Sequence, residues 1–428
     1  SYTHQLAHFK VKAALIHSGV NQRTFWALLG LALAGTAQAA GLPALIREAT
    51  GSDPAILEAR ANAAVAASRL AATRAQRYPV LGVSAGSTVV GSAYYGAPFR
   101  GVTGRVNVFD AGSVSAAVER DERREQALHL RTDETRENVA MSVTDLFLQA
   151  LRGKEMMDIE QLNLKRHEKI VGDLRIIVAN DGGRRYELVQ AESRALQVRM
   201  RIVQHEKTMR LALSKLTRFT RQSPTLVNPI PDNWRAVLPA NIDERLHPAL
   251  EAQQREVQVT RADQTALERG RWPRLDIEAG AGNHSYARLV TNWSFFDRAA
   301  DYNVQTAAKQ ISAAQQRAEL LERDLAQRAA TAEADMAQSQ FQIKAAEAQI
   351  GSSTQVVELY ELQFKVGRRS LIELVNAYAE LSATELSRTV ALNDYRTAVV
   401  SYLYARAALA DWALAQAPQT QVASEARP

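Results

Sequence analysis

Two pairs of acidic and amide side chains are the polar groups whose spacing in this chain could serve a chemical role. Glu187 and Gln190 form one pair, and Glu373 and Asn376 form the other. Residues three apart on a helix share a face, so each pair can present both groups to one surface. Carboxylate groups that line a narrow pore attract cations. The sequence contains no nucleophile–base pair, phosphate-binding loop or metal cluster, and we therefore predict that the chain is not an enzyme.

Composition argues against metal, cofactor and nucleic-acid binding. The eight histidines are scattered and the chain has no cysteine, which fits an oxidising compartment. The net charge of +6 comes from interleaved Arg and Glu, a pattern typical of solvated helix faces. No motif of a nucleic-acid-binding module is present. We expect no metal, no cofactor and no nucleic-acid partner.

The segments that position the two pairs occur twice. Short motifs recur at offsets that drift from 194 to 186 residues, as expected for a duplication with a shortened loop. Four of them are Asp53-Pro54 repeated as His247-Pro248, Tyr78-Pro79 as Trp272-Pro273, Phe109-Asp110 as Phe296-Asp297, and Leu188–Ala191 as Leu374–Ala377.

Each copy predicts a helix, two strands and two long helices. Asp110 and Asp297 are expected to cap the first long helix of each copy, and glycine-containing breaks at Asn180–Gly183 and at Gly367 separate the two long helices. The predicted helices span residues 54–77, 111–179, 184–219, 242–269, 298–366 and 370–414, and the predicted strands span 80–92, 101–109, 274–282 and 287–296.

The chain is thereby divided into five segments. Residues 1–40 contain a basic flank, a short apolar run and Ala37-Gln38-Ala39, a pattern typical of a signal peptide. The first repeat covers 41–221 and the second 242–414. A proline-rich linker at 222–241 joins them, and the polar tail at 415–428 is expected to be disordered.

The strand pairs indicate a membrane protein with several copies. Strands of about ten residues with weak alternation are typical of a tilted membrane-spanning strand. A spanning sheet has to close, and four strands are too few to form a barrel with a lumen. We therefore expect several chains to share one barrel, with their long helices forming a shared cylinder on one side of it.

The motifs in this order resemble the outer-membrane factor family, the TolC-type channels of Gram-negative bacteria, over residues 42–414. The resemblance rests on the strand starts after Tyr78 and Trp272, the junctions Val108–Gly112 and Phe295–Asp297, and above all on Phe364–Ala377. It implies a mainly α fold with a small β part: duplicated helical hairpins in a trimeric α-barrel, and four strands per chain in a shared 12-stranded transmembrane β-barrel.

The resemblance also implies a function and partners. The chain would be the outer-membrane exit duct of a tripartite efflux or type I secretion system, extending far into the periplasm. It would act as a homotrimer in outer-membrane lipid, with a periplasmic adaptor (membrane fusion protein) and an inner-membrane ABC or RND transporter. The sequence does not separate drug efflux from protein secretion.

Matched positions suggest a gate at the periplasmic end. By resemblance the gate comprises Glu373, Asn376, Arg369, Phe364, Glu187, Gln190 and Tyr186. The adaptor would dock on the hairpin tips, formed by Asn180, Asp181, Gly182 and Gly183 and by Val366, Gly367 and Arg368. Because Phe364 has no hydroxyl group, a tether through it cannot be a hydrogen bond, and Tyr186 could supply one instead. For these polar residues the alternative is an ordinary solvated helix start.

A second interpretation is a soluble periplasmic coiled-coil adaptor or scaffold. It accounts for the long helices and the signal peptide. It does not account for four glycine-rich strand segments, two of which are followed by a capping aspartate.

Overall fold

A computed structural model describes residues 41–86, 100–180, 182–231, 234–237 and 246–415. The predicted signal peptide, residues 87–92 of the first predicted strand, residues 232–233 and 238–241 of the linker, the first four residues of the helix predicted from 242, and the tail beyond Ala415 lie outside these ranges. The helices are α1 (Leu42–Ser52), α2 (Pro54–Ala75), α3 (Ser113–Asn180), α4 (Arg185–Leu216), α5 (Pro248–Arg269), α6 (Arg298–Lys365), α7 (Leu371–Ala405) and α8 (Leu409–Ala415). The strands are β1 (Val80–Ala85), β2 (Arg100–Phe109), β3 (Arg274–Gly282) and β4 (Tyr286–Asn292).

The longest elements are α3 and α6, one in each repeat. Both contain 68 residues, which corresponds to a length of about 100 Å. Asp110 accepts hydrogen bonds from the backbone amides of Gly112 and Val114 at 2.8 and 2.9 Å. Asp297 accepts them from Ala299 and Ala300 at 2.9 and 3.1 Å. A carboxylate at the same point of each repeat thus starts each long helix directly after a strand pair.

Removal of one of these capping side chains should lower the stability of the protein measurably. We expect Asp297→Ala to destabilise the start of α6 by about 1 kcal/mol, because the two amides lose their acceptor. Asp297→Asn, which keeps an acceptor oxygen, is the matched control. The apparent melting temperature in mild detergent should fall for the alanine variant only, and equal melting of both variants would contradict this role of Asp297.

The strands form one antiparallel sheet in the order β1-β2-β3-β4. Its register places apolar side chains opposite each other on one face, which includes Val83, Val102, Val106, Ile277 and Leu289. We call this the apolar face. The opposite side, the polar face, carries Arg105, Asn107, Asp276, Glu278 and Arg288. Val83 is 84% exposed, so the single chain leaves the apolar face uncovered.

The main core lies where α1, α3, α7 and α8 meet. Phe147 of α3, Leu45 of α1, Leu403 of α7 and Trp412 of α8 are buried together there. Among the described residues, no helix has both the length and the hydropathy needed to cross a bilayer.

Several predicted boundaries were wrong. The helix predicted to run to residue 414 ends at Ala405, and Ala407 adopts a positive φ of 50° before α8 begins. Helix α1 was not predicted at all. Strand β4 ends at Asn292 and not at residue 296. The chain breaks after Ala405 because α8 then packs Leu409 and Trp412 in the core, and their burial stabilises the break.

Candidate functional site

The turn between α6 and α7 is held by one arginine and one glutamate. Arg369 Nη1 lies 2.6 Å from Glu373 Oε1. Glu373 Oε2 accepts hydrogen bonds from the Ser370 amide at 3.1 Å and from its hydroxyl at 2.8 Å, which completes a capping box at the start of α7. The Ser370 amide and hydroxyl, followed by Arg369, lower the pKa of Glu373 to about 2. Glu373 is therefore charged at any physiological pH.

Arg369 also contacts the end of α6. Its Nε donates to Gln363 Oε1 at 3.0 Å, and its guanidinium lies 4.1 Å from the centre of the Tyr360 ring. Such a cation–π contact is favourable. Gly367 has a φ of 72°, the left-handed region that glycine adopts without strain. Arg369 thus joins α6 to α7 within one chain, across a turn that needs its glycine.

The tip between α3 and α4 repeats this arrangement with different residues. Arg184 lies N-terminal to α4 and its Nη2 is 2.6 Å from Glu187 Oε2. Tyr186 donates its hydroxyl to Glu187 Oε1 at 3.2 Å. The Arg184 guanidinium also lies 5.6 Å from the centre of the Phe364 ring. This contact crosses from the first hairpin to the second, so Phe364 connects the two tips without a hydroxyl group.

The remaining predicted site residues take several environments. Asn376 is exposed on α7, whereas Gln190 is half-buried on α4. Asn180 donates its side-chain amide to the Ile176 carbonyl at 3.0 Å. Gly182, Gly183, Val366 and Arg368 are exposed at the tips. Asp181 lies outside the described residues.

A second polar layer lies nearer the middle of the helices and joins the two repeats. Arg166 of α3 makes two hydrogen bonds to Glu385 of α7, at 2.8 and 2.9 Å. Glu361 of α6 accepts hydrogen bonds from Lys169 at 2.8 Å and from the buried Tyr378 hydroxyl. The first hairpin is therefore tied to the second at the tips and again above them.

Sequence reasoning missed part of this site. The pattern Ser370-Leu371-Ile372-Glu373 is a capping box that the sequence displays directly. Arg184 also precedes Glu187 by three residues, a spacing that favours an ion pair. In contrast, the contacts of Arg184 with Phe364 and of Arg166 with Glu385 join distant parts of the chain, and no local pattern indicates them.

Part of this sequence matches a known protein family. Residues 45–220, which include most of α1, all of α2 to α4 and the first strand pair, match the outer membrane efflux protein family. The match covers the first repeat, so that part of the chain is similar to outer membrane efflux proteins. Among curated proteins, none matches the sequence. The resemblance to TolC-like channels is thereby confirmed.

Solved structures with the same fold are outer-membrane channels. The chain superposes on the outer-membrane channel OprN with a TM-score of 0.75 at 15% identity, over 86% of this chain and 90% of that one. VceC of Vibrio cholerae gives a TM-score of 0.74 at 15% identity, over 86% and 96%. CmeC of Campylobacter jejuni gives 0.74 at 13% identity, over 86% and 85%. The predicted fold class, mainly α with a small β part, is confirmed.

The partial family match and the shared fold support an outer-membrane location and an efflux role for this chain. Proteins of the outer membrane efflux protein family are transport proteins of the Gram-negative outer membrane and not enzymes. Channels of this family are trimers that work with adaptors and inner-membrane transporters.

Proposed function

We propose that three copies of this chain form a passive exit duct whose periplasmic end is gated at the hairpin tips. The duct would comprise a 12-stranded barrel in the outer membrane and a barrel of long helices below it. The division into a first repeat at 41–221, a linker at 222–241 and a second repeat at 242–414 belongs to this proposal. The four-stranded sheet, with its uncovered apolar face, is the observation that carries it.

The sheet supports the shared barrel because its two edge strands, β1 and β4, each have an unpaired side. Among the described residues, β1 pairs only with β2 and β4 only with β3. In lipid, unpaired edge amides cost several kcal/mol each, so spanning sheets close into barrels. Pairing of β1 with β4 of the next copy closes the sheet and gives the apolar face to lipid. In a soluble scaffold the apolar face would stay exposed to water.

The helices support the same arrangement. Val356, Leu359 and Leu362 of α6 are 41%, 57% and 63% exposed in the single chain. Exposed apolar side chains on consecutive turns of one helix form a patch, which is typical of a surface that another chain covers. Packing of α6 against a neighbouring copy would bury them in the wall of the helical barrel.

The tips support the gate. Glu373 and Asn376, with Glu187 and Gln190, would each be present three times around the narrow periplasmic end. Arg369 and Arg184 hold the two acidic residues in place within each chain. Opening would move the second hairpin relative to the first and would break the contact of Arg184 with Phe364. A periplasmic adaptor that binds the tips more tightly in the open arrangement would shift the population towards it.

The proposal also assigns a docking surface for the adaptor, a source of energy and two classes of cargo. The exposed turns Gly182–Gly183 and Val366–Arg368 are the adaptor-docking surface, and an inner-membrane ABC or RND transporter supplies the energy. Efflux of small molecules and type I secretion of proteins are both compatible with such a duct.

The mass of the native particle tests the proposal first. Outer membranes would be extracted in mild detergent and the particle measured by light scattering corrected for detergent. We expect a mass of three chains and ion conductance in planar bilayers. A monomer or dimer in the soluble periplasmic fraction would overturn the shared-barrel proposal and favour the scaffold.

A further inference from the structure

The polar face of the sheet concentrates charge on three neighbouring strands. Arg105 of β2, Glu278 of β3 and Arg288 of β4 stand directly opposite one another in the register. Arg288 Nη2 and Nε lie 2.7 and 2.9 Å from Glu278 Oε2, and Arg105 forms an ion pair with Glu278 Oε1. One carboxylate therefore lies between two guanidinium groups.

A second charged pair on this face is balanced. Arg274 Nε lies 3.3 Å from Asp276 Oδ1, which also accepts a hydrogen bond from Asn107 at 2.8 Å. With Arg105, Glu278 and Arg288, the polar face carries three arginines and two carboxylates, and one positive charge per chain is left uncompensated.

The strand connections do not cancel this charge. Residues 86–99 and 283–285 contain no Asp or Glu. The side chain of Arg105 is 65% exposed and that of Arg288 is 64% exposed, although both contact Glu278. Both side chains thus remain in contact with the solvent on the polar face.

We propose that Arg105 and Arg288, arranged around Glu278, form a positively charged ring in the barrel lumen that favours anionic over cationic solutes. This inference rests on the proposed trimeric barrel, in which the apolar face meets lipid and the polar face lines the lumen. Lumen side chains tune the selectivity of such barrels. The chain would then select its cargo by charge in the membrane as well as at the tips.

The ring acts through a screened field. At physiological ionic strength the field of a charge decays over about 8 Å, and over about 30 Å at 0.01 M salt. A 12-stranded barrel is wider than the eight-stranded barrels whose interior side chains fill. The preference for anions should therefore be strong in dilute salt and weak in concentrated salt.

Reversal potentials in planar bilayers test the ring. The full chain would be measured in dilute, asymmetric KCl, with Arg105→Gln plus Arg288→Gln and separately with Glu278→Gln. We expect the chloride-to-potassium permeability ratio to fall by at least about twofold in the double variant and to rise in the Glu278 variant. Opposite shifts are not expected from a general loss of barrel structure.

Two controls complete the test. Arg105→Lys plus Arg288→Lys keeps the charge and should keep the permeability ratio. Arg210→Gln removes one positive charge from α4, outside the sheet, and should leave it unchanged. If the wild type conducts but neither glutamine variant shifts the ratio, the ring is overturned while the duct stands. If the wild type forms no conducting trimer, the proposed function itself fails.

Discussion

Replacement of both Arg369 and Glu373 with alanine should raise the single-channel conductance, by about fivefold if the two side chains hold a typical two-state equilibrium in its closed state. Arg369 ties Gln363 and Tyr360 of α6 to Glu373 of α7. Without these contacts the α6–α7 turn becomes less rigid, so the movement of the second hairpin relative to the first costs less free energy. Removal of Glu373 also removes one charge per chain from the proposed ring at the entrance.

The double variant changes two things at once, the ion pair and the start of α7, and a matched control separates them. Glu373 is half of a capping box, so its loss weakens the start of α7 as well as the ion pair. Ser370→Ala removes the other half of the box and leaves Arg369 and Glu373 in place. If conductance depends on the ion pair, Ser370→Ala should conduct nearly as the wild type does.

Two outcomes would contradict the gate. Equal conductance of the double variant and the wild type would mean that these residues only stabilise the turn. Equal increases for the double variant and Ser370→Ala would assign the effect to fraying of α7. Measurement at several salt concentrations adds a check, because contacts between exposed charges weaken as salt screens them.

The sequence predicted the elements that depend on local signals. The duplicated motifs and the Asp110 and Asp297 caps lie next to the segments that they define, and the glycine at 367 marks the turn that its positive φ requires. For the same reason the sequence indicates the acid–amide pairs at the tips. The capping box at Ser370 and Glu373 is an equally local signal.

Elements that depend on tertiary contacts could not be predicted. No glycine or proline marks the end of α7, and Ala407 takes the left-handed conformation that glycine usually supplies. The break exists because α8 packs Leu409 and Trp412 against α1 and α3. Helix α1 is a different case, because Leu42, Leu45, Ile46 and Ala49 follow the i, i+3, i+4, i+7 spacing of an amphipathic helix, and the sequence therefore does indicate it locally.

The junction of α7 and α8 contains a buried carboxylate that should make stability depend on pH. Glu137 of α3 is 5% exposed and accepts hydrogen bonds from the Ala410 amide at 3.3 and 3.4 Å. Burial raises the pKa of Glu137 from 4.5 to about 7, because the low-dielectric surroundings disfavour the charged form more than these bonds favour it. The folded chain thus holds a proton that the unfolded chain loses.

The direction of the change in stability with pH follows from the linkage between proton binding and folding. A carboxyl group whose pKa is raised by folding contributes full stability below its unfolded pKa, and that contribution is lost as pH rises through its folded pKa. For Glu137 the loss falls between pH 4.5 and about 7, and a shift of that size corresponds to roughly 3 kcal/mol. Glutamine has a similar shape and stays neutral, so Glu137→Gln should remove this contribution to the pH dependence.

Melting in mild detergent at about pH 5 and about pH 8 tests this expectation. The Glu137→Gln variant and the wild type should melt at similar temperatures at the lower pH. At the higher pH the variant should be the more stable, because the wild type then carries a charge in its core. Glu168→Gln on the same helix, where Glu168 forms an exposed ion pair with Arg199, is the matched control. A parallel pH dependence of the wild type and the Glu137 variant would show that Glu137 stays ionised in the folded protein, and that its contact with the start of α8 outweighs its burial.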